Sequence, residues 1–354
     1  MRPLARHWAK PIRVLLVDDS DASRAAVGRI LEGAGGVVIV GAARDGEEAL
    51  REALRLAPDL VFLDLQMPRM DGFTFLRLLM ARRPTPVVVV SSRSHRSDAF
   101  KALELGALDF VAKPEDGASF DTISEALLEK CELLRVLRPE NLATPSRGAP
   151  PVRAASLVEP TRVVAIGAST GGPQALVRLL AALPGDLPVA FLVAQHMPES
   201  FTAAFAERLG RSCPFSAQEA QDGDLVAPGR VLVAPGGRHL EVVRDAAGVL
   251  RASVPAAEAK ALRRGHCPSV DRLFASVARV FGPRACGVVL TGMGQDGRAG
   301  TVAIKGSGGL TLAESQESAV VYGMPQAAAG SGALDELLPL DGLAGRIVRF
   351  GRGT

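Results

Sequence analysis

Short apolar runs recur along the first third of the chain, and amphipathic stretches separate them. The runs are RVLLV, VVIVGA, DLVFLDL, PVVVVSS and FVAK. Stretches such as SRAAVGRILEGA and GFTFLRLLMARR between them have the apolar spacing of helices. Because the runs lack strict polar–apolar alternation, they are typical of strands buried on both faces. The pattern predicts a flavodoxin-like α/β unit, with five parallel strands joined through helices in right-handed βαβ connections.

The pattern changes over residues 138–160. RPENLATPSRGAPPVRAASLVEP is rich in Pro, Ser, Ala and Arg and has no apolar periodicity. Such a composition predicts a linker. The sequence therefore predicts a first domain over residues 11–137, a linker over 138–160 and a second domain over 161–350.

The second half resumes the alternation. RVVAIGA, PVAFLVAQ, GRVLVAP, ACGVVLTG and GGLTLAE are typical of strands. Helical patterns cover residues 173–183, 200–210, 269–281 and 298–305. HLEVVRDAAGVLRASV predicts a hairpin that turns at residues 245–248. The second domain is therefore predicted to be a doubly wound α/β domain with an antiparallel hairpin.

Composition narrows the function classes. Apolar residues make up 47% and charged residues 22% of the 354 residues, as in ordinary globular proteins. The net charge is +3, and only short basic pairs occur. This argues against a nucleic-acid partner, because binding of a phosphate backbone needs clustered basic residues. No run reaches the roughly 18 apolar residues of a membrane span, so membrane insertion is not expected either.

Cysteine spacing bears on the cellular compartment. Cys131, Cys213, Cys267 and Cys286 are scattered, without a CxxC pair or a matching histidine spacing. This predicts buried, reduced thiols in a cytoplasmic protein rather than a zinc site or a disulfide framework.

Polar side chains follow four of the five strands predicted in the first domain. Asp18 and Asp19 follow the first strand, Asp64 ends the third, Ser91 the fourth and Lys113 the fifth. A single aspartate after a strand is often only a helix N-cap. Together, however, these residues predict an oxygen-rich Mg²⁺ site at the carboxyl edge of the sheet. An aspartate beside Mg²⁺ and a lysine can accept a phosphoryl group.

Residues 12–137 resemble a response-regulator receiver domain. The resemblance rests on LLVDDS, FLDLQMPRMDG, VVVVSS and FVAKP. It implies that Asp64 is the phospho-acceptor, that Asp19, Asp64 and the Gln66 carbonyl bind Mg²⁺, and that Asp18 lies nearby as part of that site. It also implies switch residues at Ser91, Phe110 and Lys113.

A glycine-rich turn follows the first strand of the second half, in VVAIGASTGGPQAL. It lacks the Lys-Ser/Thr pair of a P-loop and the glycine spacing of a dinucleotide fingerprint. Residues 167–171 do match Gly-x-Ser-x-Gly, in which a strained strand-to-helix turn projects the serine. Ser169 is therefore a candidate nucleophile. The alternative is that Ser169 only caps the following helix.

A serine nucleophile needs a base, and the base needs an orienting acid. His196, at the end of the next strand, is the leading candidate for the base, with His239 and His266 as rivals. His7 and His95 lie outside this half.

For the acid, Asp296 stands in a glycine-rich turn after an apolar strand, whereas its rivals Asp222 and Asp224 stand in a segment typical of a surface turn. The glycines around Met293 would let backbone N–H groups form an oxyanion hole.

Residues 160–345 resemble the catalytic domain of the chemotaxis methylesterases, the CheB family. The motifs are IGASTGG, QHMP, APGGRHL, HCPSVDRLF, TGMGQDG and ESAVVYGMP. The resemblance implies Ser169 as nucleophile, His196 as base, Asp296 as acid and the Met293 N–H as oxyanion donor. The chain departs from the family at Cys267, where arginine is usual.

The two resemblances together imply a phosphorylation-activated hydrolase. It would remove methyl esters from glutamate side chains of chemoreceptors, release methanol, and also deamidate receptor glutamines. The implied partners are methylated chemoreceptors and a chemotaxis histidine kinase. Mg²⁺ would serve the receiver, and the esterase half would need no cofactor. Two rival interpretations are a regulator with a DNA-binding second half and a receptor-docking adaptor without turnover.

Overall fold

The computed structural model describes residues 10–91, 96–114, 118–134, 137, 160, 162–255 and 266–354. The chain divides into two compact units, Met1–Pro145 and Ser146–Thr354. The division falls inside the predicted linker, residues 138–160, which apart from Pro160 lies outside the described residues.

The first unit alternates strands and helices, as the sequence pattern predicts. Its elements are β1 (Ile12–Val17), α1 (Asp21–Gly33), β2 (Val37–Ala43), α2 (Gly46–Leu56), β3 (Leu60–Leu63), α3 (Gly72–Arg82), β4 (Val87–Ser91), α4 (Arg96–Glu104), β5 (Asp109–Ala112) and α5 (Ser124–Leu133). The five strands pair in the order β2-β1-β3-β4-β5, and every pair is parallel. The predicted five-stranded parallel sheet is confirmed.

The centre of this sheet is β1 paired with β3. β3 is buried along its whole length, which explains the unbroken apolar run in the sequence. Val17 pairs with Leu63 at the last position of both strands. The residues that follow these two strands therefore meet at one edge of the sheet.

The second unit contains a larger sheet, a hairpin and several helices. Its elements are β6 (Arg162–Ala168), α6 (Gly172–Ala181), β7 (Val189–Gln195), α7 (Glu199–Ser212), β8 (Ser216–Glu219), β9 (Arg230–Val233), β10 (Glu241–Arg244), β11 (Leu250–Ser253), α8 (Val270–Phe281), β12 (Ala285–Val289), α9 (Arg298–Gly306), β13 (Leu310–Glu314), α10 (Met324–Ala329), β14 (Glu336–Leu338) and α11 (Leu340–Arg352).

Seven strands of this unit form one parallel sheet in the order β14-β13-β12-β6-β7-β9-β8. β10 and β11 pair separately as the predicted antiparallel hairpin, with Arg244 opposite Leu250. β6 lies between β7 and β12, so the loops that follow these three strands converge at one edge. β8, β14, α10 and α11 were not predicted from the sequence.

The core of the second unit surrounds β6 and β7. β7 is buried at all seven positions, and β6 at all but its first. α8 closes one face of the sheet through Leu273, Phe274 and Val277, which join the main apolar cluster. None of the described helices is both long and apolar enough to span a membrane.

Candidate functional sites

The turn after β6 places Ser169 at the carboxyl edge of the sheet. Ser169 is only 6% exposed, and its N–H donates to the carbonyl oxygen of Thr291 at 3.0 Å. α6 begins after Gly171, which takes a left-handed conformation at φ 77° and offers no side chain as a cap. The helix therefore does not use Ser169 as its N-cap, and the alternative interpretation of this serine is wrong.

The turn after β12 approaches Ser169 so closely that only glycine fits there. A Cβ atom added to Gly292 would lie 2.7 Å from the Cβ of Ser169 and 2.5 Å from the Sδ of Met324. Residue 292 thus has no room for a side chain. The close approach brings the backbone of residues 291–293 beside the serine.

His196 follows the strand next to that of Ser169. Ala168 pairs with Gln195 at the ends of β6 and β7, and the N–H of His196 donates to the carbonyl of Ala168 at 2.9 Å. Ser169 and His196 therefore leave neighbouring parallel strands at the same level. The buried side chain of Gln195 binds both turns, since its Nε2 donates to the carbonyls of Ser169 at 2.8 Å and His196 at 3.0 Å.

Asp296 lies against His196. Its Oδ2 is 2.9 Å from the Nε2 of His196. The same carboxylate accepts four further hydrogen bonds, from the N–H groups of Val270 at 2.7 Å, Asp271 at 2.9 Å and Gly297 at 3.1 Å, and from the hydroxyl of Ser269 at 3.2 Å. Val270 and Asp271 are the first residues of α8, whose N–H groups have no partner within the helix.

These hydrogen bonds decide the charge of Asp296. Burial acts to raise the pKa of the carboxyl, but the hydrogen bond from His196 and the backbone N–H groups of Asp271 and Val270 outweigh it and lower the pKa to about 2. The start of α8 also carries the positive end of a helix dipole. Asp296 is therefore an anion at neutral pH.

An ionised Asp296 fixes the tautomer of His196. A carboxylate only accepts hydrogen bonds, so Nε2 of His196 carries the proton and donates it to Oδ2. Nδ1 is then the basic nitrogen in the neutral ring. It is buried and has no hydrogen-bond partner among the described residues.

The other histidines and aspartates considered from the sequence have different contacts. Nδ1 of His239 accepts the N–H of Ser269 at 3.2 Å, and its Nε2 lies 3.7 Å from the Sγ of Cys267. Asp222 accepts the N–H of Val254 at 2.8 Å, and Asp224 accepts that of Gln221 at 2.8 Å. These residues do not take part in the cluster of Ser169, His196 and Asp296.

His266 is closer to the site, because its ring stacks on that of His196. The ring centroids lie 4.2 Å apart and the planes are inclined by 10°. His266 and Asp296 also line an open cavity of about 950 Å³ beside the cluster.

The turn at residues 291–293 is held by buried polar groups. The hydroxyl of Thr291 donates to the carbonyl of Thr170 at 3.0 Å and accepts the N–H of Val321 at 2.9 Å. The N–H of Thr291 donates to Glu314, which is 1% exposed, at 2.8 Å. Burial raises the pKa of the Glu314 carboxyl. The N–H of Met293 finds no acceptor among the described residues.

The first unit carries a second polar cluster. One carboxylate oxygen from each of Asp18, Asp19 and Asp64 lies within 4.8 Å of the others, and among the described residues this is the only group with a possible metal-binding geometry. Nζ of Lys113 lies 2.8 Å from Asp18 and 2.7 Å from Asp64. Carboxylate oxygens are the ligands that Mg²⁺ prefers, so these residues fit that ion.

The charges in this cluster influence one another. Burial raises the pKa of Asp64 although Lys113 acts to lower it, and the nearby Asp18 adds to the rise. Burial acts to lower the pKa of Lys113, but Asp64 and Asp18 outweigh it and raise that pKa. A carboxylate that crowds another is a reasonable ligand for a cation, because the cation removes the repulsion.

The remaining residues predicted for the first unit are Gln66, Phe110 and Ser91. The N–H of Gln66 points at Oδ1 of Asp64 over 3.4 Å. Phe110, on β5, is buried and meets Phe100 edge to face at a centroid distance of 5.8 Å. Ser91 ends β4, and its side chain lies outside the described residues.

Three cysteines are buried as predicted, whereas Cys267 is only half-buried, so the prediction of four buried thiols is wrong at that position. All four are free. Cys267 stands in the loop before α8, which reaches the surface beside the cavity.

Sequence reasoning missed three residues that hold the turns. Gln195, Thr291 and Glu314 are all buried and polar. Gln195 and Thr291 directly follow apolar runs in QHMP and TGMGQDG, and a polar residue at such a position is the only sequence signal for them. Glu314 likewise ends the apolar run GGLTLAE, and its partner lies 23 residues away in the sequence.

Two family models match the chain. The model described as CheB methylesterase matches residues 164–347, and the model described as response regulator receiver domain matches residues 14–124. The first match lies within the second unit, and the second match lies within the first unit.

Individual proteins are similar over almost the whole chain. Protein-glutamate methylesterase/protein-glutamine glutaminase 6 of Anaeromyxobacter dehalogenans is 65% identical, over 97% of this chain and 97% of that protein. Protein-glutamate methylesterase/protein-glutamine glutaminase 3 of Geobacter sulfurreducens is 47% identical, over 96% and 97%. Among solved structures, the Thermotoga maritima CheB methylesterase catalytic domain is 34% identical with a TM-score of 0.50, over 53% of this chain and 97% of that one.

Proposed function

The chain belongs to the CheB methylesterase family and carries a response-regulator receiver domain, and from this premise we propose that it is a phosphorylation-controlled protein-glutamate methylesterase and protein-glutamine glutaminase. The observation that carries the proposal is the hydrogen bond between His196 and an ionised Asp296, one strand away from Ser169. That arrangement supplies a base with a defined tautomer at the end of the strand next to that of the serine.

The first half of the reaction forms an ester with the enzyme. The Ser169 hydroxyl attacks the carbonyl carbon of a glutamate methyl ester, and Nδ1 of His196 takes the hydroxyl proton. Asp296 stabilises the imidazolium that forms. The tetrahedral intermediate then expels the methoxy group, which takes the proton from His196 and leaves as methanol. The glutamyl group stays bound to Ser169 as an acyl-enzyme.

Backbone groups would stabilise the negative oxygen of the intermediate. The free N–H of Met293 is the donor we assign, because the turn at residues 291–293 lies against Ser169. The second half mirrors the first: water gives a proton to His196, attacks the acyl carbon and releases the glutamate carboxylate and Ser169. With a glutamine substrate the leaving group is ammonia, and Ser169, His196 and Asp296 take the same roles.

The receiver would control this reaction. We propose Asp64 as the phospho-acceptor, with a histidine kinase as donor and Lys113 as the cation that contacts the transferred oxygens. Asp18, Asp19, Asp64 and the Gln66 carbonyl would hold Mg²⁺. When bound, Mg²⁺ neutralises charge on the phosphoryl group. Ser91 and Phe110 are the proposed switch residues.

The substrate we propose is a methylated chemoreceptor, and the site of the reaction is the cytoplasm. The proposed domain limits are 11–137 for the receiver, 138–160 for the linker and 161–350 for the catalytic domain. The catalytic steps draw only on side-chain and backbone groups of the second unit, and Mg²⁺ belongs to the receiver.

The test is methanol release from a methylated chemoreceptor, with and without a small phosphodonor and Mg²⁺. Wild-type protein should release methanol, and the donor should increase the rate. Ser169→Ala should abolish release under both conditions. Ser216→Ala, at an exposed position on β8, is the matched control and should behave as wild type.

Other outcomes would change the assignment. A rate of methanol release that is the same with and without the phosphodonor would support the esterase activity and refute its control by Asp64. The absence of release from folded wild-type protein would refute the esterase and favour an adaptor that docks on receptors without turnover. Release that persists in Ser169→Ala would refute the assigned nucleophile.

A further inference from the structure

The stacked pair of His196 and His266 has no role in the steps above. The two rings are almost parallel, with centroids 4.2 Å apart and an interplanar angle of 10°. His266 lies in the loop that leads into α8, and it is exposed to solvent. A residue at such a position contributes little to the core, so its contact with the base calls for another explanation.

One hydrogen bond does not fix an imidazole ring. The bond from Nε2 to Asp296 holds one corner of the His196 ring, but it leaves the ring free to tilt about the line that joins the two atoms. Such a tilt changes the direction in which the lone pair of Nδ1 points. A flat neighbour in contact with the ring face opposes the tilt, because it blocks movement towards that side.

His266 also lies over the turn that carries Met293. A Cβ atom added to Gly294 would come within 3.7 Å of the Nε2 of His266. His266 therefore lies close both to His196 and to Gly294, which follows Met293 in this turn. The His266 ring therefore limits the movement of both His196 and the backbone at Gly294 towards it.

The charges around the pair are mixed. Asp296 binds His196 directly, and the cavity that His266 lines also includes His239, Asp271, Arg272 and Arg298. His196 becomes a cation when it takes the serine proton.

We propose that His266 is a positioning residue for the general base: its ring, stacked on His196, holds the base in the orientation in which Nε2 donates to Asp296 and Nδ1 is left to take the Ser169 proton. This inference rests on the proposed role of His196 as base. In this role His266 acts through its ring face on His196. What it contributes is a flat ring rather than a proton.

Two variants of His266 separate the contribution of a flat ring from that of the imidazole nitrogens. In His266→Phe the flat ring is kept and the nitrogens are lost, whereas in His266→Ala both are lost. We expect His266→Ala to lower kcat for methanol release roughly 10- to 100-fold, the range expected when a catalytic group is misplaced. KM should change little, and His266→Phe should recover most of kcat.

The control is Gln295→Ala, which removes an exposed side chain from the same cavity. It should leave kcat and KM as in wild type. An unchanged kcat in His266→Ala would overturn the proposal. A His266→Phe variant as slow as His266→Ala would overturn it too, because it would assign the function to the imidazole nitrogens.

A second measurement does not depend on turnover. NMR spectra of the full-length protein labelled with ¹⁵N-histidine should contain the ring signals of five histidines. The signals that are missing in His196→Gln are those of the base. Wild type and His266→Phe should show a single His196 tautomer protonated at Nε2. His266→Ala should show broadened or doubled signals.

The kinetics and the His196 NMR signals together test the positioning role of His266 separately from the esterase activity. If wild type releases no methanol but His266→Ala alters the His196 signals, the esterase assignment fails and the positioning role stands. If the His196 signals are the same in all three proteins, the positioning role fails whatever the activity.

Discussion

The backbone N–H of Ser169 donates to the carbonyl oxygen of Thr291 at 3.0 Å, and this bond ties the turn after β6 to the turn after β12. The hydroxyl of Thr291 ties the same two turns again through the carbonyl of Thr170. The serine and the residue 291–293 turn are therefore held in one arrangement by main-chain groups and a single buried threonine.

Thr291→Val should impair catalysis and stability together. Valine keeps the shape but leaves the N–H of Val321 without its acceptor, which costs about 1–3 kcal/mol of the free energy of unfolding. Because the turn beside Ser169 loosens, kcat for methanol release should fall about 10-fold or more. Urea unfolding and steady-state kinetics measure the two effects.

Thr311→Val is the matched control for this change. Thr311 is equally buried, and its hydroxyl donates to Ala333 at 2.7 Å and accepts the N–H of Asp335 at 2.9 Å. It lies near the start of β13, away from the carboxyl edge of the sheet. A similar stability loss with unchanged kcat is expected, and an equal fall in kcat would contradict the role of Thr291.

Asp296→Asn should lower kcat far more than it lowers stability. An amide presents an N–H₂ group as well as an oxygen, and the three donors on Oδ1, the N–H groups of Asp271 and Gly297 and the hydroxyl of Ser269, would still claim the oxygen. The amide would then face His196 as a donor and reverse its tautomer. The expected fall in kcat is roughly 10³- to 10⁴-fold. A variant within 10-fold of wild type would contradict this assignment of the acid.

The depressed pKa of Asp296 predicts a pH dependence of stability. Because the folded-state pKa of about 2 lies below the ordinary value of 3.8, the carboxylate stabilises the fold above about pH 4, and that stabilisation is lost as the pH falls towards 2. A difference of roughly two pKa units corresponds to about 2 kcal/mol. The gap in unfolding free energy between wild type and Asp296→Asn should narrow over this range.

Tyr322 provides the probe for that measurement. It is the only tyrosine, and Trp8 is the only tryptophan. In a Trp8→Phe background, tyrosine fluorescence reports on the second unit alone. A gap that stays constant between pH 5 and pH 2.5 would contradict the low pKa of Asp296.

Asp64→Asn should abolish the effect of the phosphodonor and leave the basal release of methanol. Removal of Mg²⁺ with a chelator should have the same selective effect, because the carboxylates that fit the ion lie in the first unit. Asp59→Asn, which alters a carboxylate that accepts the N–H of Arg13, is the control. Donor stimulation that survives in Asp64→Asn would refute the assigned acceptor.

The thiols should react slowly in the folded chain. Burial raises the pKa of all four, to about 12 for Cys131, so less thiolate is present near pH 8 than for a free cysteine. Cys267 alone is half-exposed and should be alkylated first by iodoacetamide, as peptide mass analysis would reveal. Cys267→Ser should retain methanol release. Fast native alkylation of Cys131 would contradict its burial.

The apolar runs predicted the central strands well because both faces of these strands are buried. β6 and β7 are apolar throughout, and so they stand out in the sequence. The two edge strands were missed for the opposite reason: β8 reads SAQE, and β14 has only three residues. An edge strand needs little apolar sequence, since one side is not covered by a neighbour.

The sequence predicted Ser169, His196 and Asp296 as one site, but it did not predict the contacts that hold the turns around them. Strand order decides that β7 and β12 flank β6, and no local pattern encodes this order. The bonds from Gln195 to two turns, and the stack of His266 on His196, depend on it. His266 was a rival for the base, and the structure places it in contact with His196 instead.

The donors that surround Asp296 are mostly main-chain N–H groups, from Val270, Asp271 and Gly297. At Val270 and Asp271 any amino acid other than proline supplies such a group, whereas Gly297 has a φ of 97° that favours glycine. The ionised state of Asp296 thus depends on where α8 begins more than on which side chains occupy its first positions. Side-chain substitutions at the start of α8 that keep its backbone in place therefore leave the backbone donors that keep this carboxylate ionised.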